Sequence, residues 1–232
     1  MNTPAARAGG AALLVVLAMA AGAWVYSSQN ARHRLPGVPV PVGEASAPNA
    51  VDAESSGLPG VLPAGKIPDR LPAFALEDRT GKLTSIAEFA GKSLVINFWA
   101  TWCTPCQREI PLLLSLDAGW GKRNVAVIGV AVDYRDKVLK FADRFKITYP
   151  LLIGEQDALD VAAELGVDSP VFPFTVFTDR RGEVVALYVG ELHQPQADLI
   201  LSVVQKLDTD LLQLPAARRV IADGLSAVGA AG

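Results

Sequence analysis

The chain contains two cysteines, standing together as Cys103-Thr104-Pro105-Cys106. A disulfide scaffold is therefore excluded, because neither sulfur has a long-range partner. Whatever the pair does, the two sulfurs do together. Residues 93–100 (SLVINFWA) precede it as a short, β-rich, apolar run, the pattern of a strand buried on both faces. A helical stretch to about Trp120 follows, with Pro111 expected to kink it. A cysteine pair set between a buried strand and a helix constrains the chain to an α/β fold.

That placement carries chemistry. A sulfur at a helix N-terminus meets unpaired N–H groups and the positive end of the macrodipole, which favour the thiolate. A second sulfur about one turn inside the helix can attack a mixed disulfide formed by the first. Cys103 is thus the candidate nucleophile and Cys106 the resolving thiol. Pro105 lacks an N–H and is tolerated in the first turn, which stiffens the ring. A zinc site needs about four ligands, and the only histidines are His33 and His193. His33 lies near the apolar N-terminus and His193 reads as a surface residue, so no metal and no cofactor are expected.

The remaining pattern reads as one domain over residues 67–207. Val125–Val132 (VAVIGVAV) is a second buried strand. Residues 137–145 and 158–165 have helical apolar spacing, the second ended by Gly166. Phe174–Thr178 and Val184–Val189 read as strands joined by the turn-rich Asp179-Arg180-Arg181-Gly182. Residues 197–207 form an amphipathic helix. The expected order is βαβα(α)ββα, a central mixed sheet flanked by helices. Residues 208–232 read as a short tail broken by Pro215, without a functional reading.

Ahead of that domain, residues 8–26 are 19 without a charge, with Arg7 before them and Trp24 and Tyr26 at the far end. As a helix they span about 28 Å at ~1.5 Å per residue, close to the ~30 Å of bilayer hydrocarbon. Residues 1–34 are read as a transmembrane signal-anchor with its flanks, favoured by its length over a cleaved signal peptide. Residues 35–66 hold six prolines and five glycines and read as a semi-extended spacer. The 21 basic residues are outnumbered by 24 acidic ones and form no basic run, which argues against nucleic-acid binding.

The segment Asn97-Phe98-Trp99-Ala100-Thr101-Trp102-Cys103-Thr104-Pro105-Cys106-Gln107-Arg108-Glu109-Ile110-Pro111 resembles the active-site segment of TlpA-like (ResA/CcmG-like) thioredoxins. The resemblance covers roughly residues 67–207 and implies a thioredoxin-like fold and thiol–disulfide exchange. It also implies a cis-proline facing the disulfide, a role that falls on Pro173. This chain departs from the family pattern in carrying Phe174 directly after that proline, expected beside the substrate groove. Trp102, Thr104, Pro105, Phe172 and Pro173 are the expected groove residues. Glu109 resembles a carboxylate that reductive members carry three residues after the second cysteine, on the Cys106 face of the helix.

The resemblance further implies a single-pass protein of the cytoplasmic membrane with its thioredoxin-like domain on the periplasmic side. Its partners would be an exported protein bearing a disulfide or thiol pair and a membrane electron donor of the thiol-relay type. Disulfide reduction in such proteins, apocytochrome c or a copper-site oxidase subunit among them, is the leading reading. A copper-handling or metalloprotein-assembly module is a second reading. A DsbA-type oxidase or isomerase is a third, ranked below reduction because no histidine stands between the cysteines.

Overall fold

In a computed structural model, residues 60–230 are described, apart from Ala64 and Pro170. The apolar segment 8–26, His33 and most of the spacer lie outside the described residues. Among those described, no helix is long and apolar enough to cross a membrane.

The apolar run before the cysteines forms β4 (Ser93–Trp99), every residue of it buried. It is the centre of an eight-stranded mixed sheet with β1 (Gly60–Val61), β2 (Ala75–Asp78), β3 (Leu83–Ser85), β5 (Val125–Val132), β6 (Leu151–Gly154), β7 (Phe174–Thr178) and β8 (Val184–Val189). The order across the sheet is β1-β8-β7-β4-β5-β6-β2-β3. β4, β5 and β6 run parallel, and β7 lies antiparallel on the other side of β4. Alternation along β4 divides the core: Val95 and Trp99 face one layer of side chains, Leu94, Ile96 and Phe98 the other.

The first layer packs against α1 (Thr104–Trp120), α2 (Arg135–Phe145), α4 (Gln194–Asp208) and α5 (Leu214–Ala230). The second packs against α3 (Gln156–Glu164) and the entering segment around Ile67 and Leu76. α1 carries Pro111 in its interior without ending there. The missing N–H deprives Gln107 of one helical hydrogen bond, and the burial of Ile110 and Leu113 holds the helix regardless.

The structure departs from the sequence pattern at both ends of the domain. β1, within the stretch read as spacer, pairs with β8 from Gly60 and Val61. The stretch after Asp208, read as a tail, contains a 17-residue helix with Pro215 in its first turn, where a missing N–H does no harm. Ala217 and Ile221, four residues apart, are wholly buried. Arg218 donates to the carbonyls of Val184 and Pro68 and to the Asp69 carboxylate at 2.7–3.1 Å, pinning α5 to the sheet. Three short strands, β2, β3 and β6, also escape the sequence pattern.

Gly166 closes the helical stretch as expected, at φ +89°. A β-carbon there would lie 2.2 Å from the Lys66 carbonyl oxygen. Gly166→Ala is therefore expected to cost about 2 kcal/mol, from left-handed strain plus a backbone contact that cannot yield. Urea unfolding measures this, and an unchanged midpoint would show that the entering segment moves freely at Lys66.

Candidate active site

β4 hands the chain to α1 through Ala100, Thr101 and Trp102. Gln107 donates to the Thr101 carbonyl at 3.0 Å, and the Thr101 hydroxyl donates to the buried Asp133 carboxylate at the end of β5. These bonds fix the loop that presents the cysteines. Cys103 is the N-cap residue of α1, with extended backbone, and its sulfur accepts the Cys106 amide N–H at 3.2 Å. The two cysteines form a disulfide with Cα atoms 5.3 Å apart. Cys103 is 4% exposed and Cys106 1%, so both residues of the pair are well covered.

Thr104 is exposed and Pro105 half-buried in the first turn of α1. Trp102 is 69% exposed, an unusual position for so large an apolar ring. Its edge meets Phe172 with ring centroids 6.1 Å apart. That contact brings the loop before Cys103 against the loop before β7. The Phe172–Pro173 peptide bond is cis, and the Pro173 carbonyl accepts the Gly190 amide at 2.8 Å. Phe174, expected beside the groove, is instead fully buried and stacks on Phe98, its cross-strand partner, at 4.4 Å. Strand alternation turns it into the second core layer, away from the Asn97 and Thr175 side. His193 is exposed at the start of α4.

Glu109 lies three residues after Cys106 on the same face of α1 and is 2% exposed. Its two oxygens are both hydrogen-bonded. Oε1 accepts from Asn97 Nδ2 at 2.8 Å, and Oε2 accepts from the Leu192 backbone N–H at 3.0 Å. Burial pushes the carboxyl up to about 7. The bonds from Leu192 and Asn97 hold it back from going higher, while the negative charge of Glu191 adds to the rise. A carboxyl titrating there can take and give a proton near neutral pH, as general acid–base work requires. Glu191 itself is clamped by Arg108 at the surface, with Nε to Oε2 at 2.9 Å. Burial, and next the Glu109 charge, also raise the Tyr149 and Tyr188 phenols.

Sequence reasoning did not single out Asn97, Thr175 or the Leu192 amide. The available signal was Asn97 itself, a polar amide in the middle of an otherwise apolar buried run.

Comparison with known proteins agrees with this geometry. The Redoxin family model matches residues 66–201. The thiol-disulfide oxidoreductase ResA of Geobacillus kaustophilus is 35% identical over 122 residues, 52% of this chain and 68% of that protein. The thioredoxin-like protein YneN of Bacillus subtilis is 32% identical over 143 residues, 60% of this chain and 77% of that one. Among solved structures, a DsbF homologue from Corynebacterium diphtheriae superposes with a TM-score of 0.54 at 25% identity, over 67% of this chain and 97% of that chain. The family match spans more than half of the chain, so this protein belongs to the Redoxin family, and its Cys103–Cys106 pair at the head of α1 makes it a thioredoxin-like thiol-disulfide oxidoreductase of the ResA type.

Proposed function

We propose that the protein reduces disulfides in exported proteins from a membrane-tethered position on the extracytoplasmic side. The observation that carries this reading is the pairing of an N-cap sulfur, Cys103, with a buried carboxyl, Glu109, on the face of α1 that holds Cys106. In the reduced enzyme the Cys103 thiolate attacks one sulfur of a substrate disulfide. The substrate S–S bond breaks, its second sulfur leaves as a thiolate that takes up a proton, and a mixed disulfide forms. Glu109 accepts the Cys106 proton. The Cys106 thiolate then attacks Cys103 Sγ, closes the internal disulfide and releases the substrate's remaining thiol. Two electrons pass from enzyme to substrate, and a thiol donor in the membrane returns them.

Trp102, Thr104, Pro105, Phe172 and Pro173 line the groove in which the substrate segment lies. The exposed Trp102 ring against Phe172 supports that assignment, since it offers apolar surface beside the sulfurs. The charge-free segment 8–26 and the spacer that follows support the tether and its reach. Apocytochrome c and a copper-site oxidase subunit are the substrate classes in view. A C-terminal reporter that is active only after export tests the orientation: signal is expected, and a silent but intact fusion would place the domain on the other side.

Redox direction is tested by equilibration with glutathione and dithiothreitol buffers. Thr104 and Pro105 supply no positive charge to a thiolate, and ionised Glu109 opposes one. The reduced form is then comparatively disfavoured, which lowers the potential. It is expected nearer thioredoxin's roughly −270 mV than DsbA's roughly −120 mV. A value at the DsbA end would replace reduction with oxidation as the function.

A further inference from the structure

Asn97 is fully buried in β4, in register between Gly129 on β5 and Thr175 on β7. Its Nδ2 group donates twice, to Glu109 Oε1 at 2.8 Å and to Thr175 Oγ1 at 3.0 Å. Its Oδ1 is buried with no hydrogen-bond partner. Turning the amide over would bring Oδ1 to Glu109 and swing the NH₂ group into the place where Oδ1 meets nothing. Two stranded donors would then replace one stranded acceptor. The amide is therefore held with its donor toward the carboxylate. A fully buried polar group left short among the apolar side chains of Leu94, Val95, Ile96 and Phe98 calls for a use.

We propose that Asn97 is a positioning residue for thiol–disulfide exchange, fixing the Glu109 carboxylate on the Cys106 face of α1 and favouring its ionised form against burial. The proposal rests on the reading of Glu109 as the proton acceptor for Cys106. Each hydrogen bond that Glu109 makes comes from a donor: the Asn97 amide on one oxygen, the Leu192 N–H on the other. Donors on both oxygens stabilise the carboxylate and oppose its protonation. Leu192 belongs to the β8–α4 connection, Asn97 to the central strand, and Thr175 stands two residues beyond Pro173 on β7. The carboxyl is thus gripped from the elements that also build the site. The other titratable and charged groups around it are Glu191 with its partner Arg108, Tyr149, Tyr188 and, once reduced, the two thiols. None of these donates a hydrogen bond to Glu109, so the amide is the side chain whose loss is felt directly.

The test is a ¹³C carboxyl titration of Glu109 in the full-length oxidised protein, with Glu109→Gln identifying the resonance. Asn97→Leu keeps the side-chain size and removes the donor. Its Glu109 midpoint is expected to rise by about one pH unit or more, the loss of one hydrogen bond to a charged group. The pH profile of disulfide reduction should move the same way. A folded Asn97→Leu protein whose midpoint matches the parent would overturn the proposal, because a merely structural amide would lower stability without moving that titration. If Asn97→Leu does not fold, Asn97→Asp serves, being nearly isosteric. The two facing carboxyls should then share a proton and show an upper midpoint above the parent's, and a midpoint at or below it would overturn the proposal. If the Glu109 midpoint moves but Glu109→Gln keeps the parent's pH profile of turnover, Asn97's hold on Glu109 stands. What falls in that case is the proton role of Glu109, and with it the part of Asn97 in exchange.

Discussion

Replacing Cys106 with serine is expected to yield a protein that reacts once with a substrate disulfide and then stops, covalently joined to it through Cys103. Cys103 is the N-cap of α1 and its sulfur already accepts a helical N–H. On reduction the same N–H and the helix terminus stabilise a thiolate at that sulfur. Cys106, one turn further and 1% exposed, has no such place at the helix end. Without its thiol nothing inside the enzyme displaces the substrate. Turnover should drop by about three orders of magnitude or more, as when the resolving or attacking group of a covalent mechanism is removed. Non-reducing electrophoresis shows the trapped species, and mass spectrometry of the adduct names the partner. Cys103→Ser should be equally inactive and should trap nothing. Alkylation of the reduced parent near neutral pH is expected at Cys103 first, and preferential labelling of Cys106 would reverse the two roles.

The second large effect is on stability. Glu109 titrates at about 7 in the folded protein against an ordinary value of 4.5. Between those pH values the folded chain keeps a proton that the unfolded chain has released. Stability therefore falls as pH rises through this window, and it levels off once the folded-state carboxyl has ionised. The limiting slope is about 1.4 kcal/mol per pH unit, so the whole shift amounts to at most about 3.5 kcal/mol. Glu109→Gln keeps an acceptor for the Leu192 amide and cannot ionise, so it should lack this component. The stability difference between Glu109→Gln and the parent should thus move in favour of the variant by about 2–3 kcal/mol from pH 4 to pH 8. Urea unfolding of both oxidised proteins at several pH values measures it. A difference that is flat across the range, or that moves the opposite way, would mean that Glu109 is not held neutral by burial.

The two readings differ in what they draw on. The place of Cys103 at the head of α1 was legible from the order of strand, cysteine and helix, and helix-end electrostatics act within one turn and need only local sequence. The position of Glu109 on the Cys106 face was also legible, from i, i+3 spacing. Its acidity was not. That depends on 2% exposure and on donors from Asn97 and Leu192, which lie 12 and 83 residues away along the chain. Phe174 shows the same limit. Its neighbourhood to Pro173 suggested the groove, but the pairing of β7 with β4 turns it onto Phe98 in the core.

The strongly patterned elements β4, β5, α1, α2, β7, β8 and α4 could be read from the chain because each is long enough to show its own period or a sustained apolar run. β6 has four residues, and β2 and β3 have four and three, too few to establish a period. They exist because neighbouring strands supply their hydrogen bonds. α5 was hidden for a different reason. Its anchors are small and mixed side chains, the buried Ala217 and Ile221 and the Arg218 guanidinium, which read as a tail until β8, the Pro68 carbonyl and the Asp69 carboxylate are there to receive them. Local sequence determined the dithiol, its polarity along α1 and the α/β class, since those follow from periodicity and helix ends. Tertiary structure decided the burial of Glu109, the donors on its oxygens, the aromatic contact between Trp102 and Phe172 and the limits of the domain, since each requires residues brought together from distant parts of the chain.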